Sequence, residues 1–269
     1  MLSMQHVLCT KLHENDDLNI NNYATYMGAV LFPDAIRAYS GLRQYSHFEK
    51  GSDGVKDTSW WQFPTDMKCL TKEKIQNHLS VFAHKSSSIR PCAIGEDTDI
   101  HAFYEHNQHL PADMFLGIEN HLKQDIEFDK FIRSHIDCKD KYDDVFQFHG
   151  TTYNGKDIRN VITSIENHGI YVLAHELYER EGITANQKWF ADNIQPLLHD
   201  VYSDELADKT FSFMNMTRSV DTLISSHDWS YLDKGVLPYR DYQELYSDVL
   251  HSMSDSFVKN PEEPGVEYE

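Results

Sequence analysis

The sequence predicts an all-α protein folded as a single multi-helix bundle. Three observations carry this. Apolar residues recur at three- and four-residue spacing in segment after segment. Alternating, strand-like runs are scarce. Pro, Gly, Ser and Asp gather at intervals that suit connections between helices. The chain has 269 residues, 40% of them hydrophobic and 25% charged, enough apolar material for one large core. No internal repeat is visible. About seven to nine helices are expected, in one domain spanning residues 1–258.

Taken in order, residues 18–44 read as helix, with Tyr23, Tyr26, Met27, Val30 and Leu31 at helical spacing. Pro33 is expected to open a second helical piece, with Asp34 near its N-terminus and His47 at its end. Residues 48–66 carry Gly, Ser, Asp, Pro and the pair Trp60 and Trp61, and read as a loop packed by its own aromatics. Thr71 is an expected N-cap for a helix over 71–84. Residues 85–99 form a connection. Helical signal is dense over 100–136 with a break at Pro111. The 112–135 segment is the strongest, with Phe115, Ile118, Leu122, Ile126 and Ile132 on one broad stripe. Residues 137–156 are polar and Gly-containing. Further helices are expected over 157–181, 185–203, 204–229 and 239–258. The tail 259–269, KNPEEPGVEYE, is acidic and Pro-rich and is expected to be disordered.

The formal net charge is −19. That argues against binding long nucleic acid through a basic surface, because counterion release needs Lys and Arg. It fits a soluble protein whose buried carboxylates offset cations. It equally fits an acidic protein that occupies a basic partner. Sixteen histidines are unusually many, and several adjoin Asp or Glu. Cys9, Cys69, Cys92 and Cys138 are widely spaced with no C-x-x-C, which disfavours a cysteine zinc site and suits reduced thiols. The first residues do not read as a secretory signal, and no apolar run reaches the ~20 residues of a membrane span. A cytoplasmic location with no membrane span is therefore expected.

Chemistry is concentrated in two His–carboxylate pairs at i, i+4: His121 with Asp125, and His175 with Glu179. On a helix such residues sit one turn apart on one face and can close on one divalent cation. Asp129, a further turn on from Asp125, is a candidate bridging or supporting carboxylate. HELYE begins like the H-E-x-x-H zinc-protease motif but lacks the second His, so that reading fails. Upstream candidates are His6, His13, Asp34 and His47. A lone Asp or His at a helix end is more often a cap or dipole partner. His101, His106 and His109 cluster before the first pair.

The order Asp34, His47, His121-x-x-x-Asp125, His175-x-x-x-Glu179 resembles zinc-dependent phospholipase C and the related single-strand-specific fungal nucleases, over residues 6–179. The resemblance implies an all-α bundle, closely spaced zinc ions in a cleft and hydrolysis of phosphate esters. It implies that His6 or His13 stands in for the family's N-terminal ligand, and that His135 or His149 supplies the histidine expected between the helix pairs. HD-type phosphohydrolases are also helical, but the dyads His199–Asp200 and His227–Asp228 fall in polar, helix-end contexts. The expected activity is a metal-dependent phosphoesterase with two or three divalent ions, zinc first and manganese or iron as alternatives. Asp34 is a candidate general base as well as a ligand. Trp60, Trp61 and Tyr153 are candidate stacking surfaces; Lys123, Arg43 and Arg90 are candidate phosphate contacts. The charge favours a small soluble nucleotide-like phosphoester over DNA or lipid. The alternative is a non-enzymatic acidic binding or inhibitor protein in which the His–carboxylate pairs are structural.

Overall fold

The computed structural model describes residues 19–40, 46–48, 62–77, 98–137, 145–154, 158–181, 195–214 and 229–254. They form helices α1 (Tyr23–Ser40), α2 (Ile100–Asn107), α3 (Ala112–His135), α4 (Ile158–Glu181), α5 (Gln195–Val201), α6 (Asp204–Met214) and α7 (Tyr239–Ser254). Short 3-10 turns lie at Met67–Cys69 and Trp229–Lys234. The all-α expectation holds, with one small addition. Ile136–Asp137 (β1), Val145–Phe148 (β2) and Thr151–Asn154 (β3) make a three-stranded antiparallel sheet in the order β1-β2-β3. His149 and Gly150 join β2 to β3, both at positive φ, as the tight two-residue turn of a twisted hairpin requires. Among the described residues no helix is long and apolar enough to cross a membrane.

Two helices set the architecture. Asn22 caps α1 by accepting the Thr25 N–H on its side chain. Asp113, in the first turn of α3, accepts the N–H groups of Asn21 and Asn22 and so ties the two helix starts together. From there α1 and α3 run parallel. Gly117 lies against Tyr26, Ala29 and Val30, Asn120 donates to Tyr26, and His121 meets Val30. On its other side α1 packs on α5 and the α5–α6 junction, where Tyr202 stacks on Phe32 and covers Gly28. The far side of α3 receives α7 running antiparallel, through Gln124–Met253, Phe131–Tyr242 and His135–Asp241. The α7 helix in turn carries α4.

Three sequence expectations need correction or bounding. Pro33 does not open a separate helix; it lies inside α1. Its missing N–H removes the bond that would close on the Ala29 carbonyl, and packing on both sides of α1 offsets that loss. Residues 137–156 are not featureless but contain the hairpin. Thr71 does cap, accepting the Lys74 N–H, but only 72–77 of the expected 71–84 helix is described. The Trp60–Trp61 loop, residues 215–228 and the 259–269 tail lie outside the described residues.

Candidate metal centre

The core of the site is built where α1 and α3 meet. Asp34 projects from α1 one residue after Pro33, His121 and Asp125 project from one face of α3, and His47 comes from the short helical stretch after α1. Asp34, His47 and His121 each offer one donor atom, and the three atoms lie within 4.8 Å of one another. The His47 and His121 Nε2 atoms are 3.1 Å apart. His47 Nε2 is 3.5 Å from Asp34 Oδ1. Asp125 Oδ2 lies 3.4 Å from His47 Nε2 and 3.7 Å from His121 Nε2. Donors about 2.0–2.2 Å from a tetrahedral zinc stand roughly 3.3–3.5 Å from each other. The distances given are close to that spacing.

The supporting contacts orient the rings. His121 Nδ1 is 2.7 Å from the Val30 carbonyl oxygen, which can only accept, so Nδ1 carries a proton and the neutral tautomer of this ring presents its lone pair at Nε2. Ser46 Oγ lies 2.6 Å from His47 Nδ1. A hydroxyl accepts as well as donates, so His47 can also turn a lone pair toward the cluster when its Nδ1–H points at Ser46. Two imidazoles are thereby held with Nε2 toward each other. With a proton on the His47 Nε2 the two rings share a hydrogen bond; with both lone pairs bare the placement is repulsive and becomes favourable around a cation.

Burial sharpens the point. His47, His121 and Asp125 are buried. The Asp125 carboxylate is thus held in a poorly solvated place, where an ionised group needs a compensating charge. A divalent cation supplies it. Asp34 is the open edge: its side chain is 16% exposed, and Arg37 approaches to 3.9 Å.

The remaining sequence candidates fall elsewhere. His175, on α4, is not part of this group. Its Nδ1 is 3.1 Å from the Tyr239 hydroxyl, and its ring meets Trp229 edge-on at 4.9 Å. Tyr239 donates to Glu176, which also accepts from Gln243 at 2.9 Å. Glu179, the expected partner of His175, is exposed, whereas the adjacent Glu176 is buried. A Tyr239→Phe substitution is expected to lower stability by about 1–2 kcal/mol, because it unties both His175 and Glu176. Urea denaturation reads the change, and an unaltered midpoint would mean these bonds contribute nothing.

Lys123 does not face the site. Two helical positions from His121 turn it about 200° away, and it pairs with Glu119 at 3.1 Å, which also accepts from Tyr104. His135 is tied to Asp241 on α7 at 3.2 Å, and His149 is exposed in the hairpin turn. His109 bonds to the Phe63 carbonyl. Trp60, Trp61, His6, His13, Arg43 and Arg90 lie outside the described residues.

Sequence reasoning missed the Val30 carbonyl and Ser46. Neither leaves a pattern: one is main chain and the other is an ordinary serine. Comparison with protein-family models, with curated proteins and with solved structures returned no match for this chain.

Proposed function

We propose that Asp34, His47, His121 and Asp125 hold a divalent cation, and that the chain is a metal-dependent phosphoric ester hydrolase of the kind its ligand order resembles. The observation that carries this reading is the convergence of Asp34, His47 and His121 from three separate segments, with Asp125 against both histidines. Two imidazole nitrogens with carboxylate oxygens suit zinc first, and also manganese or iron. Bound there, the ion would supply Lewis acidity toward a phosphoryl oxygen and lower the pKa of water. The chain's own part is to fix the ring orientations through Val30 and Ser46 and to keep Asp34 at the exposed edge. There Asp34 would accept a proton from incoming water. Further ions, of the two or three the resemblance implies, would draw on His6 and His13. The −19 charge disfavours long polyanions, so the substrate proposed is a small soluble nucleotide-like phosphoester.

One observation favours a second reading. Three of the four side chains are buried, and closed sites made of protein ligands are commonly structural. On that reading the ion braces α1 against α3 in an acidic protein that occupies a basic partner.

Metal content by mass spectrometry, paired with turnover of bis(p-nitrophenyl) phosphate and a nucleotide panel, separates the two. The hydrolase reading expects bound metal and activity. It also expects an Asp34→Asn variant that stays folded while turnover falls by about 10²-fold or more. Bound metal without turnover, with unfolding on chelation, would support the structural ion. No metal at all would overturn both.

A further inference from the structure

His168 and His175 stand seven residues apart on α4, two turns along one face. The segment 229–239 lies along that face. Trp229 sits edge-on to His175, the Leu232 main chain is near enough to raise the His168 pKa, Gly235 comes up against the His168 ring, and Tyr239 bonds to His175 and Glu176. The contact at Gly235 is close enough that a Cβ there would fall 2.0 Å from His168 Nε2. His168 is 7% exposed, and among the described residues its Nε2 has no hydrogen-bond partner. Nε2 is thus the buried ring atom on which an added proton would find no acceptor among the described groups.

We propose that residues 229–239 form an acid-released strap, closed over α4 while the His168 ring is neutral and lifted when Nε2 is protonated. An N–H at Nε2 would point at the Gly235 main chain with no acceptor among the described groups, and a cation buried there would be poorly solvated. The strap contributes Gly235 and the Leu232 main chain to the ring's surroundings, and between them in sequence it carries the charged pair Asp233 and Lys234. The α7 helix contributes Tyr242, whose ring lies 5.0 Å away and whose own ionisation is pushed up by burial and by Asp241. Along α4 Tyr171 stands one turn on at i+3, and His175 and Glu176, two turns on, are engaged with Tyr239. None of these contacts places a carboxylate against Nε2. Burial holds the His168 pKa below its ordinary 6.5, with the Leu232 main chain opposing. The sign follows by linkage. The neutral ring's contribution is complete above pH 6.5 and is lost as pH falls below that value through the lower folded pKa.

Hydrogen exchange on the full chain at pH 7.5 and pH 5.0, corrected for intrinsic rates, tests this. Peptides over 229–239 are expected to lose protection by about tenfold at the lower pH, while α3 peptides change little. His168→Gln is expected to abolish the difference. Gly235→Ala, whose Cβ displaces the ring, is expected to give the exposed pattern already at pH 7.5. Unchanged protection in 229–239, a loss spread evenly over all helices, or the same loss in His168→Gln would each overturn the proposal. Should His168→Gln not fold, the distribution of exchange in the unaltered protein still decides it.

Discussion

The His121→Ala protein is expected to leave purification without metal, at less than about a tenth of an equivalent. His121 makes three contacts at once. It offers Nε2 to the cluster, donates Nδ1–H to the Val30 carbonyl, and keeps His47 and Asp125 within reach of one ring. Removing it takes away a donor and leaves a buried main-chain carbonyl without its imidazole partner. It also opens a cavity between α1 and α3. Losing a buried hydrogen-bonded side chain of this size costs about 2–4 kcal/mol of stability. Mass spectrometry and urea denaturation read the two effects separately. A variant that still carries a full equivalent of metal would move the ion away from this cluster.

Gly117→Ala is the second large effect, and nothing about the residue's chemistry announces it. A Cβ at 117 would lie 2.4 Å from the Tyr26 carbonyl oxygen and 2.6 Å from the Ala29 Cβ. Alanine ordinarily gains about 1 kcal/mol over glycine inside a helix. Here the obstacle is main chain on a packed helix, which cannot swing aside. The helices must separate, and the expected net loss is about 2–3 kcal/mol. The same crossing sets the distance from Asp34 to His121, so metal affinity should fall as well, although residue 117 touches no ligand. Denaturation midpoints and a competitive zinc titration measure both. A midpoint at or above that of the unaltered chain would mean the crossing has room to spare.

How much of this was legible in the chain depends on the range of the signal. His121 and Asp125 are four apart on one helix, so helical period alone places them together. Asp34 and His47 carried weaker local signals, a helix start and a helix end, and only their order relative to the α3 pair drew attention to them. At His175 the i+4 logic misled: Glu179 is exposed, and the carboxylate that matters is the neighbouring Glu176, reached through Tyr239. That bond spans more than sixty positions, and no local pattern encodes it. The same holds for Lys123, where counting helical degrees from His121 would have turned it away from the site. The hairpin was readable: V-F-Q-F and T-T-Y-N flank H-G, a two-residue turn with Gly second. Its shortness hid it among stronger helical signals. Pro33 stays inside α1 because the packing that the helix finds on both sides offsets the lost hydrogen bond, which a proline rule for isolated helices does not count.

The two imidazoles of the cluster differ in how they would tolerate genetic drift. His121 leans on a peptide oxygen, and every amino acid brings one. Position 30 can therefore change its side chain, within what the core volume allows, without untying that ring. His47 leans on the hydroxyl of Ser46, which a single base change can remove. Among diverging copies of this protein the second support should be the first to be rebuilt, by threonine, by an acid or by another element. The backbone-held half would stay as the fixed point around which the rest is replaced.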